Sequence, residues 1–239
     1  MTWHDGPLLG FDLETTGIHP SSDLPVQVAL VWTDAERVLS TDTFLVDPGR
    51  EIPPDATAIH GITSERARSE GCSLAEAARR IHAAVLRATT DGVPVVAMNA
   101  GFDVTIAEGL FAAFALGTLE WRALLDPLVL DRHCDRFRKG KRRLDALCEH
   151  YAVRLGRAHD ASADAEAAVA LTRLIGARYP ECGALDPETL TLRQAAWHQA
   201  WAHEYDSWRR SQGLAGLEAD DFNWPCRRAT VPATTNESR

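Results

Sequence analysis

The sequence predicts an α/β domain, a mixed β-sheet flanked by helices, with a helical C-terminal extension. Three extended apolar segments stand in a row near the start, shorter apolar segments later alternate with helical ones, and a helix-spaced aromatic stripe follows the breaker Tyr179-Pro180-Glu181-Cys182-Gly183. Strands first, then strands alternating with helices, is the order of a mixed sheet covered by helices. The opening strands are expected at 8–14 (LLGFDLE, closed by Thr16-Gly17), 26–32 and 38–46. A Pro-rich connection, 47–63, leads to a helix at 74–86, a strand at 93–98 and a helix at 103–116. An extended piece at 123–126 precedes helical segments at 127–136 and 144–152, with a basic loop between them, and a helix at 161–178 completes a first domain of residues 1–180. The extension, 181–228, is a helix over 188–210 whose Trp197, Trp201, Tyr205 and Trp208 share one stripe. The polar tail 229–239 is expected to be disordered.

Composition narrows the class. The chain has 239 residues, 45% hydrophobic and 25% charged, which excludes disordered, collagen-like and coiled-coil proteins. No apolar run approaches the roughly 20 residues of a membrane span, and the N-terminal residues lack a signal-peptide layout, so no membrane partner and a cytoplasmic location are expected. Five scattered cysteines without a CxxC spacing argue for reduced thiols rather than a disulfide framework or structural zinc. The net charge of −9 opposes non-specific nucleic-acid binding unless positive charge is concentrated locally or metal ions neutralise a site.

Acidic residues occupy unusual positions. Alternation along the first strand turns Leu9, Phe11 and Leu13 one way and Asp12 and Glu14 the other, so two carboxylates lie side by side. A solvent-facing strand end would explain them, and so would a cation between them. Asp103 heads the helical stripe Ile106, Ala107, Leu110 and Phe114, as an N-cap, a metal ligand or both. Asp164 heads the stripe Ala168, Leu171, Thr172 and Ile175, where Ser162 or Asp160 can supply the cap. His159, just before that helix, is either structural or placed over whatever Asp164 binds. Asp12, Glu14, Asp103 and Asp164 form an all-oxygen set that suits Mg²⁺ or Mn²⁺ rather than zinc. Two such ions roughly 4 Å apart, with a histidine to deprotonate water, point to phosphodiester hydrolysis. No G-x-S-x-G elbow supports a serine or cysteine hydrolase.

At these residues the chain resembles the DnaQ-like, DEDDh-type 3′→5′ exonuclease family. FDLETTG (11–17), NAGFD (99–103) and HDASAD (159–164) are similar to its three motifs, and IHGIT (59–63) to a segment common in it; the resemblance runs from about Leu8 to Arg178. It implies an RNase H-like fold, two Mg²⁺ or Mn²⁺ ions held by Asp12, Glu14, Asp103 and Asp164, and His159 as general base. It also implies that Thr15, His60 and Phe102 lie near the terminal nucleotide; a turn residue, a loop histidine and a core aromatic are the plainer readings. Met98 departs from the histidine that many members carry before the second-motif asparagine, which bears on contacts beside the site.

The expected substrate is the 3′ end of single-stranded or frayed DNA, in proofreading, repair or nucleotide recycling, with a DNA polymerase catalytic subunit as a candidate partner. The alternatives are the same chemistry on RNA, and a non-catalytic polymerase-associated module. The basic stretch 131–143 offers Arg and Lys to the phosphates of an entering strand and Phe137 for stacking, or is a solvated loop. The aromatic stripe either packs on the parent domain or faces a partner.

Overall fold

The computed structural model describes residues 2–156 and 159–227. The expected disorder of 229–239 therefore falls outside the described residues. A six-stranded sheet forms the centre, in the order β4-β3-β2-β1-β5-β6. The long strands β1 (Leu8–Thr15), β2 (Pro25–Thr33) and β3 (Val38–Asp47) make an antiparallel meander. β5 (Val95–Val96) lies parallel to β1, β6 (Leu124–Leu125) parallel to β5, and β4 (Cys72–Ser73) parallel to β3. This is the mixed sheet of an RNase H-like fold.

The centre of the sheet, β1 and β2, is buried on both faces, while residues 38–43 of β3 stay exposed. Leu9, Phe11 and Leu13 pack with Val28 and Leu30 against α3 (Leu74–Asp91) and α4 (Gly101–Ala113). On the other face, α7 (Ala161–Arg178) lies across β1 and β2, with Ala161 and Ala165 against Ala29 and Val31. Small residues let this helix approach closely. A Cβ on Gly10 would stand 3.0 Å from the Ala165 carbonyl oxygen and 3.0 Å from a Val169 methyl, tighter than ordinary packing. Helix position on this face is thus set by one missing side chain in β1.

Two expectations change. The connection 47–63 is not a plain loop: it contains α1 (Pro54–His60), and α2 (Ser64–Glu70) follows at once. Pro54 is tolerated at the first helical position, Gly61 ends α1 in the left-handed conformation at φ 76°, and Thr63 caps α2 by accepting from the Arg66 N–H. The segment at 93–98 pairs only at Val95–Val96, because the chain turns at Asn99 with φ 60° into α4 two residues earlier than expected. Asp103 is accordingly in the first turn of α4 and not its N-cap.

Beyond β6 come α5 (Pro127–Cys134), α6 (Leu144–Tyr151), the short α8 (Pro180–Gly183) and the long α9 (Pro187–Ser211). α9 closes the edge of the sheet. Thr191 Oγ1 accepts from the Leu124 N–H, and Gln194 accepts from the Asp126 N–H while donating to the Leu124 carbonyl. These bonds satisfy an edge strand that would otherwise be open. A 3₁₀ turn at Ala219–Phe222 and the segment through Arg227 return over the start of α4, where the Arg227 N–H donates to Thr105 and its guanidinium to Asn99 Oδ1. No helix among the described residues is long and apolar enough to cross a membrane. The five cysteines carry free thiols.

Candidate active site

The four acids and the histidine come from β1, α4 and α7, and the packing of those elements brings them together. Asp12 and Glu14 project from the β1 face that α7 covers, so the close crossing at Gly10 carries the first turn of α7 toward them. Pairing of β1 with β5 ends at Gly10 opposite Val96. The Leu13 N–H beyond that point donates instead to Asp103 Oδ1 at 3.1 Å, which fixes a carboxylate from α4 beside the strand. Asp160 caps α7 by accepting from the Ser162 and Ala163 N–H groups, freeing Asp164 of that task. His159 precedes the cap with φ 62°, and its N–H donates to Asp164 Oδ2 at 3.3 Å.

Glu14, His159 and Asp164 offer ligand atoms that all lie within 4.8 Å of one another. The electrostatics are unfavourable for bare carboxylates. Burial raises the Asp12 carboxyl well above its ordinary range, and Asp103, Glu14 and Asp164 push it the same way. Burial, then Asp164 and Asp160, lift Glu14 to about 7. Burial also raises Asp103 and Asp164, in the latter against the pull of His159. Asp164 Oδ1 is buried without a hydrogen-bond partner, and Asp12 and Glu14 make no hydrogen bond or ion pair among the described residues. A donor set of this kind fits divalent cations with oxygen ligands: bound cations would satisfy the orphaned oxygen and relieve the mutual repulsion.

The three expected nucleotide contacts are placed differently from one another. His60 ends α1 with Nδ1 accepting from the Ile62 N–H at 3.0 Å and Nε2 unpartnered. Burial lowers its pKa, the Thr15 backbone opposes that, and His159 adds to it, so His60 stands on the site side of α1. Thr15 Oγ1 donates to the Gly17 carbonyl, as a turn residue does, at the irregular end of the β1–β2 pairing. Phe102, half-buried, packs against the core.

A cleft of about 200 Å³ opens beside the cluster, walled by Arg143, Leu144, Asp145 and Leu155 together with His159 and Asp164. The basic loop forms part of this wall but does not present all its charge. Arg138 and Arg142 turn inward onto the fully buried Asp131. Phe137, 90% exposed, points into solvent.

One residue that supports the site escaped the sequence reading. The buried Asp126 accepts from the N–H groups of Asn99, Ala100 and Leu128 at 2.9–3.0 Å, locking the turn that delivers Asp103. Its signal was the Asp126-Pro127 pair, a cap ahead of a proline at the first helical position.

Residues 9–172 match the exonuclease family RNase_T, more than half of the chain. The chain belongs to this exonuclease family. A DNA polymerase III subunit epsilon-like protein of Rhodobacter capsulatus is 41% identical over 97 residues, which span 39% of this chain and 13% of that protein. Exodeoxyribonuclease I of Escherichia coli is 29% identical over 194 residues, spanning 71% of this chain and 40% of the relative. The crystal structure of E. coli exonuclease I in complex with a dT13 oligonucleotide superposes with a TM-score of 0.61 at 29% identity, covering 74% of this chain and 42% of that one. The chain thus spans well under half the length of these relatives. A zinc-bound E. coli ExoI–ssDNA complex is similar too, with a TM-score of 0.61 at 27% identity, covering 85% of this chain and 45% of that one.

Proposed function

We propose that this protein is a metal-dependent 3′→5′ exonuclease that releases nucleoside 5′-monophosphates from single-stranded or frayed DNA ends. The observation that carries the reading is the approach of Glu14, Asp164 and His159 to within 4.8 Å, with Glu14 and Asp164 close enough to Asp12, and Glu14 to Asp103, to push those carboxyls upward. Asp12, Glu14, Asp103 and Asp164 would hold two Mg²⁺ or Mn²⁺ ions. Such ions supply Lewis-acid stabilisation of the charge that develops on the phosphate.

The protein's own groups do the rest. His159, exposed on the cleft side, accepts the proton of the attacking water. Its backbone N–H holds Asp164 in register with it, coupling the base to a ligand. His60, Thr15 and Phe102 border the terminal nucleotide. The preference for DNA leans on relatives named for deoxyribonucleotide substrates and polymerases. By the same relationship, proofreading, repair or recycling in the cytoplasm is the expected setting and a polymerase catalytic subunit a candidate partner. Residues 1–180 would be the catalytic unit and 181–228 its extension.

Digestion of matched end-labelled DNA and RNA ladders, with Mg²⁺ or Mn²⁺ and with EDTA, tests this. Shortening of DNA from the 3′ terminus that requires the cation is expected. Preferential shortening of RNA reassigns the substrate, and a ladder unchanged under every condition overturns the nuclease reading.

A further inference from the structure

A cavity of about 410 Å³ lies between α5, the basic loop and α9, walled by Arg132, His133, Arg136 and Arg142 opposite Trp197 and Trp201. Its cations are not equivalent. Arg142 is bound to Asp131, and Arg136 is held at the rim by both oxygens of Glu204, at 2.8 and 2.9 Å. Arg132 makes no hydrogen bond or ion pair among the described residues. Its guanidinium lies 3.5 Å from the centre of the Trp201 ring, and burial lowers its pKa to about 10. A largely desolvated guanidinium whose donors are unused is a standing request for an anion.

The aromatic stripe begins at that arginine. Trp201 stacks on Tyr205 at 5.1 Å and 16°, and Tyr205 on Trp208 at 5.7 Å and 13°. Trp208 ends the ladder 52% exposed. At the near end Trp197 stacks on His133 at 3.7 Å and packs against the core that α7 helps to form, and Trp201 and Tyr205 are half-buried, so exposure grows toward Trp208. The cavity also neighbours the acidic cluster. Arg142 lines the cavity and the next residue, Arg143, lines the cleft with His159 and Asp164, so the end of the basic loop borders both openings.

We infer that this cavity and the Trp201–Tyr205–Trp208 ladder seat the upstream part of the single strand whose 3′ end enters the cleft, with Arg132 meeting a phosphodiester and bases stacking toward Trp208. The inference rests on the nuclease reading and extends it to α9. A flexible polyanion with flat faces is the ligand class that answers both features at once: the phosphate meets the unpaired cation, and a base can extend the ladder on the exposed Trp208 ring. An apolar protein helix would cover the rings and leave the Arg132 donors unused, since Asp126 and Asp131 attract its charge without hydrogen-bonding it.

The test uses the full chain in EDTA, with fluorescence anisotropy of labelled dT15 and tryptophan quenching by dT15, dT3, dTMP and inorganic phosphate. Wild type is expected to bind dT15 well above dT3 and dTMP, and Trp208→Ala and Arg132→Gln each to weaken dT15 binding about tenfold. Arg132→Gln should also flatten the salt dependence by about one phosphate contact. In Mg²⁺, Trp208→Ala should raise KM for dT15 with kcat retained and leave dT3 cleavage unchanged. Because Trp208 is exposed, this variant reads the proposal even if Arg132→Gln does not fold. Unchanged dT15 affinity in Trp208→Ala, equal losses on dT3 and dT15, or dTMP binding as tightly as dT15 would each overturn it. Wild type that binds dT15 through the ladder but cleaves nothing would sink the nuclease reading and spare the binding surface.

Discussion

Buried acids in this protein come in two kinds. Asp131, with no side-chain exposure, meets Arg138 and Arg142 through one oxygen and accepts from the Tyr151 hydroxyl at 2.9 Å through the other. Asp126 gathers three backbone N–H groups. Around β1 the opposite holds: Asp12, Glu14 and Asp164 crowd one another, and Asp164 Oδ1 has no partner. The first kind is complete without a ligand and ties the basic loop, α6 and the turn before α4 into place. The second kind is complete only with added positive charge. Burial alone therefore says little about function, whereas burial without a partner marks the candidate site.

The contrast is sharpest under neutralisation of a single carboxylate. Asp12→Asn should lower nuclease activity roughly a thousandfold, since it removes both charge and an oxygen proposed to hold a metal ion. In EDTA its melting temperature should hold or rise, because repulsion is relieved, while the stabilisation that Mg²⁺ gives wild type should shrink. Asp131→Ala should do the reverse. Two arginines lose their buried counter-ion, and urea unfolding should register a loss of about 3–5 kcal/mol with no change in Mg²⁺ stabilisation per folded molecule. An Asp12→Asn variant as destabilised as Asp131→Ala would erase the distinction.

Titration probes the same difference without mutation. A carboxyl whose folded pKa stands above its unfolded value binds more protons folded than unfolded, so stability falls as pH rises between the two. For Glu14 that window runs from 4.5 to about 7, and Asp12, Asp103 and Asp164 shift in the same direction. In EDTA the unfolding free energy is expected to fall by up to about 3 kcal/mol across the window from the Glu14 contribution and to level off above it. Saturating Mg²⁺ should flatten the decline by stabilising the ionised form. Stability that rises from pH 5 to 8 in EDTA would mean that the carboxylates are already compensated within the protein.

Sequence carried the site further than it carried the surroundings. Alternation in β1 and helical spacing after Asp103 and Asp164 are local signals, and they placed the acids on the correct faces. The helices in 47–70 were hidden because Pro53, Pro54 and Gly61 read as loop punctuation, although proline suits a first turn and glycine a helix end. The partnering of Asp126 and Asp131 depends on contacts with Asn99, Ala100, Arg138, Arg142 and Tyr151, which no period in the chain encodes. The basic run 131–143 looked uniform, yet burial divided it into arginines spent on Asp131 and an Arg132 left over.

The smallest expected effect tests how the two kinds of acid are joined through the scaffold. Gly10→Ala places a methyl 3.0 Å from the Ala165 carbonyl oxygen, so α7 must lift by a few tenths of an ångström from β1. The cost should be about 1–3 kcal/mol in urea unfolding. Gly176→Ala also crowds α7, against the Trp3 ring at 2.6 Å, but at the end of the helix remote from Asp164. If the site acids need exact placement and the structural acids do not, Gly176→Ala should lose the more stability, its clash being the tighter, while only Gly10→Ala weakens Mg²⁺ binding and slows hydrolysis severalfold. Equal losses of Mg²⁺ affinity in both would assign the effect to general loosening of α7 instead of to the distance between Glu14 and Asp164.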